Sequence, residues 1–326
     1  MKDVISRFAV LGVLASASLA VSLLAFGTGK LTLSDAATSA AKNSPNLAAL
    51  PLGDGKTTTT SPQPGYLFQC SVQSGGGGAA VDGPWINTGA GTYDLKGKFI
   101  VDGDNPWPNA SFKTKVKKAV LKLVGNGLPT NHGTGNFPVA AGDDAYQVDR
   151  NPNVVTAQSI FEKLRAKPKR AASPGCTGGT LGIARNGVPI FNAVDGTNRD
   201  AVAHEVQDAC AGHPQNSGQY HYHGLPACLS FGSVSKHSKL IGWALDGFPI
   251  YGPIGNKGRY MRISDLDACH GHTHKITYQG TQQKLFHYHA TDEFPYTVGC
   301  YRGTAPIQRP GGGGGAPPAG GQPPAP

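Results

Sequence analysis

Apolar and polar residues alternate along much of this chain, and the alternation is clearest at residues 112–117. This stretch reads FKTKVK, so every second side chain is a lysine. A two-residue period is typical of a strand with one face toward the core. The apolar segment that follows ends at Asn126-Gly127, a pair that favours a tight turn. The pattern therefore predicts β-structure closed by a turn.

An apolar segment, a turn pair and a second apolar segment occur in this order twice further along the chain. IARNGVPIF begins at residue 183 and WALDGFPIY begins at residue 243. Asn-Gly and Asp-Gly are strong hairpin signals, because short turns require positive φ angles. Pro189 and Pro249 follow the turns. Since proline has no amide hydrogen, we expect their strands to lie at a sheet edge or to be bulged.

Helical periodicity is scarce in this sequence. The main exception is VVTAQSIFEKLRAK at residues 154–167, where Phe161 and Leu164 form a partial apolar stripe. Many short β-like segments separated by turn residues are typical of all-β proteins. We therefore predict an all-β fold, a β-rich sandwich or barrel with few short helices.

Four sequence blocks occur twice in the same order, in residues 181–230 and again in residues 241–301. LGIARNGVPIFN, DACAGH, QYHYHG and a cysteine correspond to IGWALDGFPIYG, DACHGH, LFHYHA and a cysteine. We interpret the repeat as an internal tandem duplication and predict a pseudo-two-fold relation between the copies. Each copy carries three histidines and two cysteines in matching places.

The matched histidines have the spacing of metal ligands. Side chains two residues apart share one face of a strand, so each His-x-His pair projects together. A Gly-His in each copy supplies a third imidazole. The predicted ligands are His213, His221 and His223 in the first copy and His272, His287 and His289 in the second. The alternative is that these histidines are structural and brace loops by hydrogen bonds.

Several further residues near these motifs are candidates. Additional ligands to consider are His270, His274, Asp208 and Asp267. For the two aspartates, the choice is between orienting an imidazole and capping a turn. Three histidines have no counterpart in the other copy and are interpreted as ordinary polar residues: His132, His204 and His237. One shared site and two separate sites both fit the sequence.

Ligand type indicates the metal. Imidazole suits copper(II), zinc, nickel and iron, and the chain has only two methionines to favour copper(I). Copper or zinc is the predicted cofactor. Because a ligating imidazole must be neutral, binding should weaken as the pH falls through about 6.5.

The N-terminus has the pattern of an export segment. Lys2 and Arg7 precede an apolar run at residues 8–26, and small residues follow. This is typical of a cleaved signal peptide, and the run is also long enough for an uncleaved membrane anchor. We assign residues 1–40 to this segment, 41–80 to a disordered linker, 81–303 to the folded domain and 304–326 to a disordered Gly/Pro-rich tail.

Export would take the six cysteines into an oxidising compartment, where disulfides form. The duplication pairs Cys210 with Cys228 and Cys269 with Cys300. Elimination leaves Cys70 with Cys176. The alternative is a cysteine–histidine zinc site at the two DAC-x-GH motifs.

The formal net charge is +9, and two basic runs lie at residues 113–122 and 165–170. Nucleic acid is not expected as a partner, because neither run contains the aromatic residues that stack on bases and export separates the protein from nucleic acid. We interpret the runs as a solvated face, with attraction to an anionic envelope polymer as the alternative.

Common catalytic motifs are incomplete in this sequence. His204-Glu205 begins like a zinc-protease helix, but no second histidine follows four residues later. Gly-x-Ser-x-Gly is absent, and Gly97-Lys98 is followed by phenylalanine where a phosphate loop has Ser or Thr. No catalytic residue is assigned.

Residues 120–304 resemble the YHYH-domain proteins, a family named for the residues that appear here as Tyr220-His221-Tyr222-His223. The resemblance rests on runs such as NGVPIFN, YHYHGLPAC, ALDGFPIYGP and FHYHATDEFPYTVGCYRGT. The second copy has Phe286 in place of the first tyrosine, which leaves its His-x-His pair intact. The resemblance implies an exported bacterial protein and no particular reaction.

Three functional hypotheses follow. The first is an extracytoplasmic protein that binds copper or zinc through the duplicated histidines. The second is an exported metalloenzyme, hydrolytic or oxidative, whose metal keeps an open position. The third is an envelope interaction module in which the histidines are structural and exposed aromatic residues bind the partner.

Overall fold

The computed structural model describes residues 41–72 and 75–304, and this part of the chain is built mainly from short β-strands. The predicted all-β class is confirmed. The predicted export segment lies outside the described residues, as does all of the predicted tail except Thr304. No helix within the described residues is long and apolar enough to cross a membrane.

The strands are β1 (Leu50–Pro51), β2 (Thr57–Thr58), β3 (Leu67–Phe68), β4 (Ile86–Asn87), β5 (Thr92–Tyr93), β6 (Ile100–Val101), β7 (Phe112–Lys117), β8 (Val120–Gly125), β9 (Ile160–Arg165), β10 (Thr180–Ala184), β11 (Pro189–Phe191), β12 (Gln207–Asp208), β13 (Gly212–Pro214), β14 (Tyr220–Tyr222), β15 (Leu240–Ala244), β16 (Pro249–Tyr251), β17 (Gly271–Tyr278) and β18 (Thr281–His289). The helical segments are α1 (Ala201–His204) and 3-10 turns at Asp144–Gln147, Asn256–Gly258 and Ile263–Asp265.

The largest sheet has eight strands in the order β13-β14-β11-β10-β15-β16-β18-β17. The same pairing occurs in both halves of this sheet: β11 pairs with β14 in parallel, and β16 pairs with β18 in parallel. The halves meet at the antiparallel pair β10–β15, where Ile183 lies opposite the equivalent residue Trp243. This register has the symmetry of a local two-fold axis. The arrangement agrees with the predicted relation between the copies, while the duplication itself stays a prediction.

The two prolines after the turns begin interior strands. Pro189 starts β11 and Pro249 starts β16, and each strand has a neighbour on both sides. The expectation of edge strands is therefore wrong. The first residue of a strand tolerates a missing amide hydrogen. The predicted irregularity lies in the partner strands, where the register shifts between Thr180 and Gly182 and between Leu240 and Gly242.

A second, three-stranded sheet has the order β7-β8-β9. Its strand β9 lies within residues 154–167, the segment with the clearest helical periodicity, so the partial apolar stripe there does not produce a helix. Ile160 and Leu164 are buried while Phe161 and Lys163 are exposed, which fits the two-residue period of a strand. Pairing with β8 along six residues outweighs the weak helical stripe.

Residues 41–72 and 75–80 pack as part of the folded domain, so the predicted linker and the predicted domain boundary at residue 81 are wrong. Leu50 and Leu67 are 1% and 0% exposed, and each belongs to a hydrophobic core cluster. The amide of Gly53 donates to the Asp200 carboxylate at 2.8 Å, and the disulfide Cys70–Cys176 joins the segment to the rest of the domain. Single leucines in a polar stretch carry little signal in the sequence, because their burial depends on partners far along the chain.

Three disulfides join the cysteines in the predicted pairs: Cys70–Cys176, Cys210–Cys228 and Cys269–Cys300. No cysteine is left free, so the alternative of cysteine–histidine zinc sites is excluded. Disulfides persist in oxidising compartments, and three of them indicate an extracytoplasmic environment.

Candidate metal centres

The first histidine set consists of His213, His221 and His223. It is positioned by the antiparallel pair β13–β14, in which His213 lies directly opposite His221. His223 follows two residues later on the same side of the chain. All three side chains are buried, with exposed fractions between 2% and 5%.

The tyrosines between the histidines anchor the strand on its other side. Tyr222 is fully buried, and its hydroxyl accepts a hydrogen bond from the Asn186 amide at 2.9 Å. In the second copy, the hydroxyl of Tyr288 donates to Asp246 at 2.5 Å. Both partners belong to the hairpin turns, so the turn pairs identified in the sequence hold the histidine strands in place.

Backbone carbonyls orient the imidazoles of the first set. The Nδ1 atoms of His221 and His223 lie 3.0 Å and 2.5 Å from the carbonyl oxygens of Gln219 and Asn192. A carbonyl can only accept, so each Nδ1 carries the hydrogen and each Nε2 presents a lone pair. The two Nε2 atoms face each other at 2.9 Å. Both ring nitrogens of His213 are buried, and its Nε2 lies 3.6 Å from Oε2 of Glu205.

These separations fit a shared metal ion. With metal–nitrogen bonds of about 2.05 Å, two ligands in a tetrahedral site are about 3.3 Å apart, and neighbouring ligands in a square-planar site are about 2.9 Å apart. The candidate ligand atoms of all three histidines lie within 4.8 Å of one another. The first set therefore has the donor type and the spacing of a metal centre.

A carboxylate also borders the first set. Oε2 of Glu205, the residue after α1, lies 3.4 Å from Nε2 of His223 and 3.6 Å from Nε2 of His213. It is buried and has no other hydrogen-bond partner. Burial, followed by the nearby carboxylate of Asp149, raises the pKa of Glu205 well above its ordinary value. A cation between the imidazoles and this group would offset that cost.

The second histidine set consists of His237, His272, His274, His287 and His289. His272 lies opposite His287 in the β17–β18 pair, as His213 lies opposite His221. Nε2 of His272 is 3.1 Å from Nε2 of both His287 and His289. Nε2 of His237 is 3.2 Å from that of His287. These distances also match neighbouring positions around one metal ion.

The second set repeats the backbone contacts of the first. Nδ1 of His287 lies 3.1 Å from the carbonyl of Leu285, two residues earlier, and Nδ1 of His289 lies 2.6 Å from the carbonyl of Gly252. Gly252 corresponds to Asn192 in the first copy. The same atoms are therefore fixed by equivalent carbonyls in both sets.

The two sets differ in their access to solvent. His287 and His289 are fully buried, whereas His237, His272 and His274 are only partly buried. His237 also lines a cleft of about 620 Å³ with Trp243 and Tyr251. The second set is thus open on one side, whereas the first set is buried and only His223 borders a cavity, a smaller one of about 110 Å³.

Burial favours the neutral form of the six histidines that the repeat predicts. It is the largest cause that lowers the pKa of His223 and of His272 to about 4. Burial and the neighbouring His272 lower the pKa of His287 to about 2. The pKa values of His213, His221 and His289 are also well below the ordinary range, for the same first reason. Neutral imidazole is the form that binds a metal.

The remaining sequence candidates have other partners. His270 belongs to neither set, and its Nε2 lies 2.9 Å from the hydroxyl of Thr291. Asp208 accepts hydrogen bonds from the amide of Cys210 and the hydroxyl of Tyr220. Asp267 accepts from the equivalent amide, that of Cys269. Both carboxylates cap the turn that contains the first cysteine of their copy.

A third grouping, His132 with Cys210 and Cys228, is not a metal centre, because both sulfurs form a disulfide. Nε2 of His132 lies 2.7 Å from the Tyr222 hydroxyl instead.

Two members of these sites could not be identified from the sequence alone. His237, interpreted as an ordinary polar residue, belongs to the second set. Glu205, considered only as part of an incomplete protease motif, borders the first. The adjacent His204 bonds to Asp54 at 2.9 Å and belongs to neither set. Neither His237 nor Glu205 has an equivalent in the other copy, and the repeat was the signal that identified the candidate ligands.

A protein-family model described as YHYH protein matches residues 162–259. This match confirms the YHYH resemblance for residues 162–259. The matched part of the YHYH domain includes the first histidine set, Glu205 and His237, but it ends before the other four histidines of the second set. No curated protein and no solved structure matches the chain.

Proposed function

We propose that this YHYH protein is an exported metal-binding protein with two transition-metal sites, one at each histidine set. The observation that carries the proposal is the facing of Nε2 lone pairs at about 3 Å in both sets, at 2.9 Å between His221 and His223 and at 3.2 Å between His237 and His287, whose Nδ1 atoms all lie against backbone carbonyls. Lone pairs so close together repel each other unless a proton or a metal ion lies between them.

A structural role for the histidines accounts less well for this geometry. A proton placed on Nε2 of His221 or His223 would leave a neutral ring with a bare Nδ1 against a backbone carbonyl, so the repulsion would move from one side of the ring to the other. Double protonation would place a charge in a buried site, against the lowered pKa values. A bound cation satisfies both ring nitrogens.

The proposed ligands follow from the contacts. His213, His221 and His223 would hold the first metal, with Glu205 close enough to complete a four-ligand set. His272, His287 and His289 would hold the second, and His237 and His274 would supply further nitrogen ligands. When bound, the metal would supply positive charge and, at an open position, Lewis acidity.

Copper(II) or zinc is the proposed metal. Nitrogen and carboxylate ligands suit both ions, and all the cysteines are consumed by disulfides, which removes the thiolates that favour softer ions. The disulfides and the N-terminal apolar segment support an extracytoplasmic location.

The experiment is elemental analysis of the purified protein, followed by titration of the metal-free protein with copper(II) and with zinc. We expect micromolar or tighter uptake, with reduced metal content in the double variant His221→Ala/His223→Ala. The matched control is His132→Gln, which changes a histidine outside both sets. Unchanged metal content in the double variant would overturn the first site.

A metalloenzyme is the second candidate, and the cleft beside the second set favours it. An open metal position next to a cleft of about 620 Å³ could admit a substrate. Azide added to the copper(II) form should change its visible spectrum only where a coordination position is exchangeable. We expect this change to disappear in His272→Gln/His287→Gln and to persist in His221→Ala/His223→Ala.

A further inference from the structure

In the three-stranded sheet β7-β8-β9, β8 and β9 have one face on the hydrophobic core and one face free, whereas β7 is exposed on both faces except at Phe112, so the expectation that its alternation buries one face is wrong. Leu121, Leu123, Ile160 and Leu164 are buried and belong to the main core cluster. Because side chains alternate along a strand, the residues between them point outward. The outward face is formed by Lys113, Lys115, Lys117, Val120, Lys122, Val124, Phe161, Lys163 and Arg165.

The strand register brings the cations of this outward face together. Lys115 lies opposite Lys122, and Lys122 lies opposite Lys163, so three lysines form one row across the sheet. Lys117 and Arg165 flank this row at one end of the strands, and Lys113 flanks it at the other. Neighbouring strands are about 4.8 Å apart, so the face measures roughly 10 Å by 13 Å.

Nothing on this face neutralises the charge. The only acidic residue of the three strands, Glu162, lies opposite Leu123 and so belongs to the inward face. Among the described residues, the lysine and arginine ion pairs involve Arg199, Arg259, Arg262 and Arg302 and none of the outward cations. Like charges directly opposite each other destabilise a sheet. A row of three lysines is therefore a structural cost that an anionic partner would remove.

An exposed aromatic ring adjoins the cations. Phe161 is 54% exposed and lies opposite Val124, which is 43% exposed. The sequence separates this phenylalanine from the lysines of β7 by more than forty residues, and the sheet places them on one surface. Aromatic rings pack against the faces of sugar rings, and ammonium groups pair with carboxylates.

We propose that this outward face binds an acidic polysaccharide that lies across the three strands. The cations would contact its carboxylates, and a sugar ring would pack on Phe161 after the Lys163 ammonium, which lies 5.3 Å from the centroid of that ring, turns to a carboxylate. The exposed apolar area is confined to one corner, which is small for insertion into a lipid surface, whereas the row of lysines crosses the sheet as an extended chain would. The inference does not depend on metal binding.

The location of the face links it to the cleft. Thr114 and Val116 are on the inward side of β7 and line the cleft next to His237. A polymer bound across β7 would therefore pass the edge of that cleft.

The test measures binding of polygalacturonate to the full chain at low and moderate salt, with neutral dextran as the control polymer. The variant Lys115→Gln/Lys122→Gln/Lys163→Gln removes the central row. The matched control Lys42→Gln/Lys96→Gln/Lys236→Gln removes the same charge from exposed lysines elsewhere. We expect the row variant to bind roughly tenfold more weakly, with a shallower salt dependence, and the control to bind as the wild type does.

Equal weakening in the two variants would overturn the proposal, because it would show attraction to net charge alone. No binding by the wild type would also overturn it, as would binding to vesicles containing phosphatidylglycerol but not to the polymer. The row variant should fold at least as well as the wild type, because it removes like-charge repulsion. Its thermal midpoint at low salt therefore separates weak binding from misfolding.

Discussion

The two histidine sets share a backbone design but differ in their surroundings. In both sets, backbone carbonyls fix the Nδ1 atoms of the His-x-His pair, and the third histidine lies on the neighbouring strand, opposite the first histidine of that pair. The first set is enclosed and adjoins the carboxylate of Glu205. The second is partly open and adjoins further imidazoles and a cleft. The strands thus provide the ligand geometry, and the residues outside the repeat distinguish the two sites.

The largest expected effect is on the pH dependence of the metal-free protein. Burial lowers the pKa of His223 to about 4, so protons bind preferentially to the unfolded chain, whose histidines titrate near about 6.5. The contribution of this neutral imidazole to the free energy of unfolding is therefore fully present above about pH 6.5 and is lost as the pH falls toward 4. At pH 5, each such imidazole lowers the free energy of unfolding by about 2 kcal/mol, and the protein buries several of them.

Urea unfolding at pH 7.5 and pH 5 would measure this loss. Replacing the enclosed pair, as in His221→Gln/His223→Gln, should reduce this pH dependence. Equal pH dependence in wild type and double variant would contradict the assignment of these neutral, buried imidazoles.

The next effect concerns the disulfide that closes the first set. Cys210 and Cys228 enclose a loop of 18 residues that carries His213 and the His-x-His pair. Removing this disulfide in Cys210→Ser/Cys228→Ser should lower the free energy of unfolding by about 3 kcal/mol. We also expect loss of the first metal and retention of the second, measured by metal content. Loss of both metals from a folded variant would show that the sites are not independent.

Metal release should separate the two sets kinetically. A chelator reaches the partly exposed second set more easily than the enclosed first set, so release into excess EDTA should occur in two phases. We expect the two rates to differ by at least about tenfold, because the chelator reaches the first set only when the surrounding structure opens locally. His272→Gln/His287→Gln should remove the fast phase. If it removed the slow phase, the two assignments would be reversed.

The smallest of these effects is at Glu205. Replacing its carboxylate in Glu205→Gln should weaken metal binding at the first set by about tenfold and leave the second set unchanged. Glu162→Gln is the matched control, since Glu162 is half-buried on the inward face of β9. Titrations of both variants with zinc provide the measurement, and an unchanged first-site affinity in Glu205→Gln would exclude the carboxylate as a ligand.

Much of this fold could be predicted where the sequence carries a local signal. The Asn-Gly and Asp-Gly turns, the two-residue alternation and the repeated cysteines gave the strand-rich class and the disulfide pairs. The failures have a common physical cause. Leu50 and Leu67 are buried, and residues 160–165 form a strand, because of partners that are distant in the chain.

The candidate sites show the same division. The six histidines that the repeat predicts all belong to the two sets, since strand alternation determines which side chains share a face. His237 and Glu205 reach the sites through loop and helix positions that only tertiary structure defines. The sequence also left one site and two sites as equal alternatives, and the structure gives two separate groupings of histidines.

Metal stoichiometry tests the central claim most directly. Native mass spectrometry of the protein, stripped of metal and then titrated with zinc, should show two bound ions per chain. The count should fall to one in His221→Ala/His223→Ala and in His272→Gln/His287→Gln, and remain two in His132→Gln. A wild-type protein that binds no ion, or a single ion lost equally in both double variants, would contradict the account.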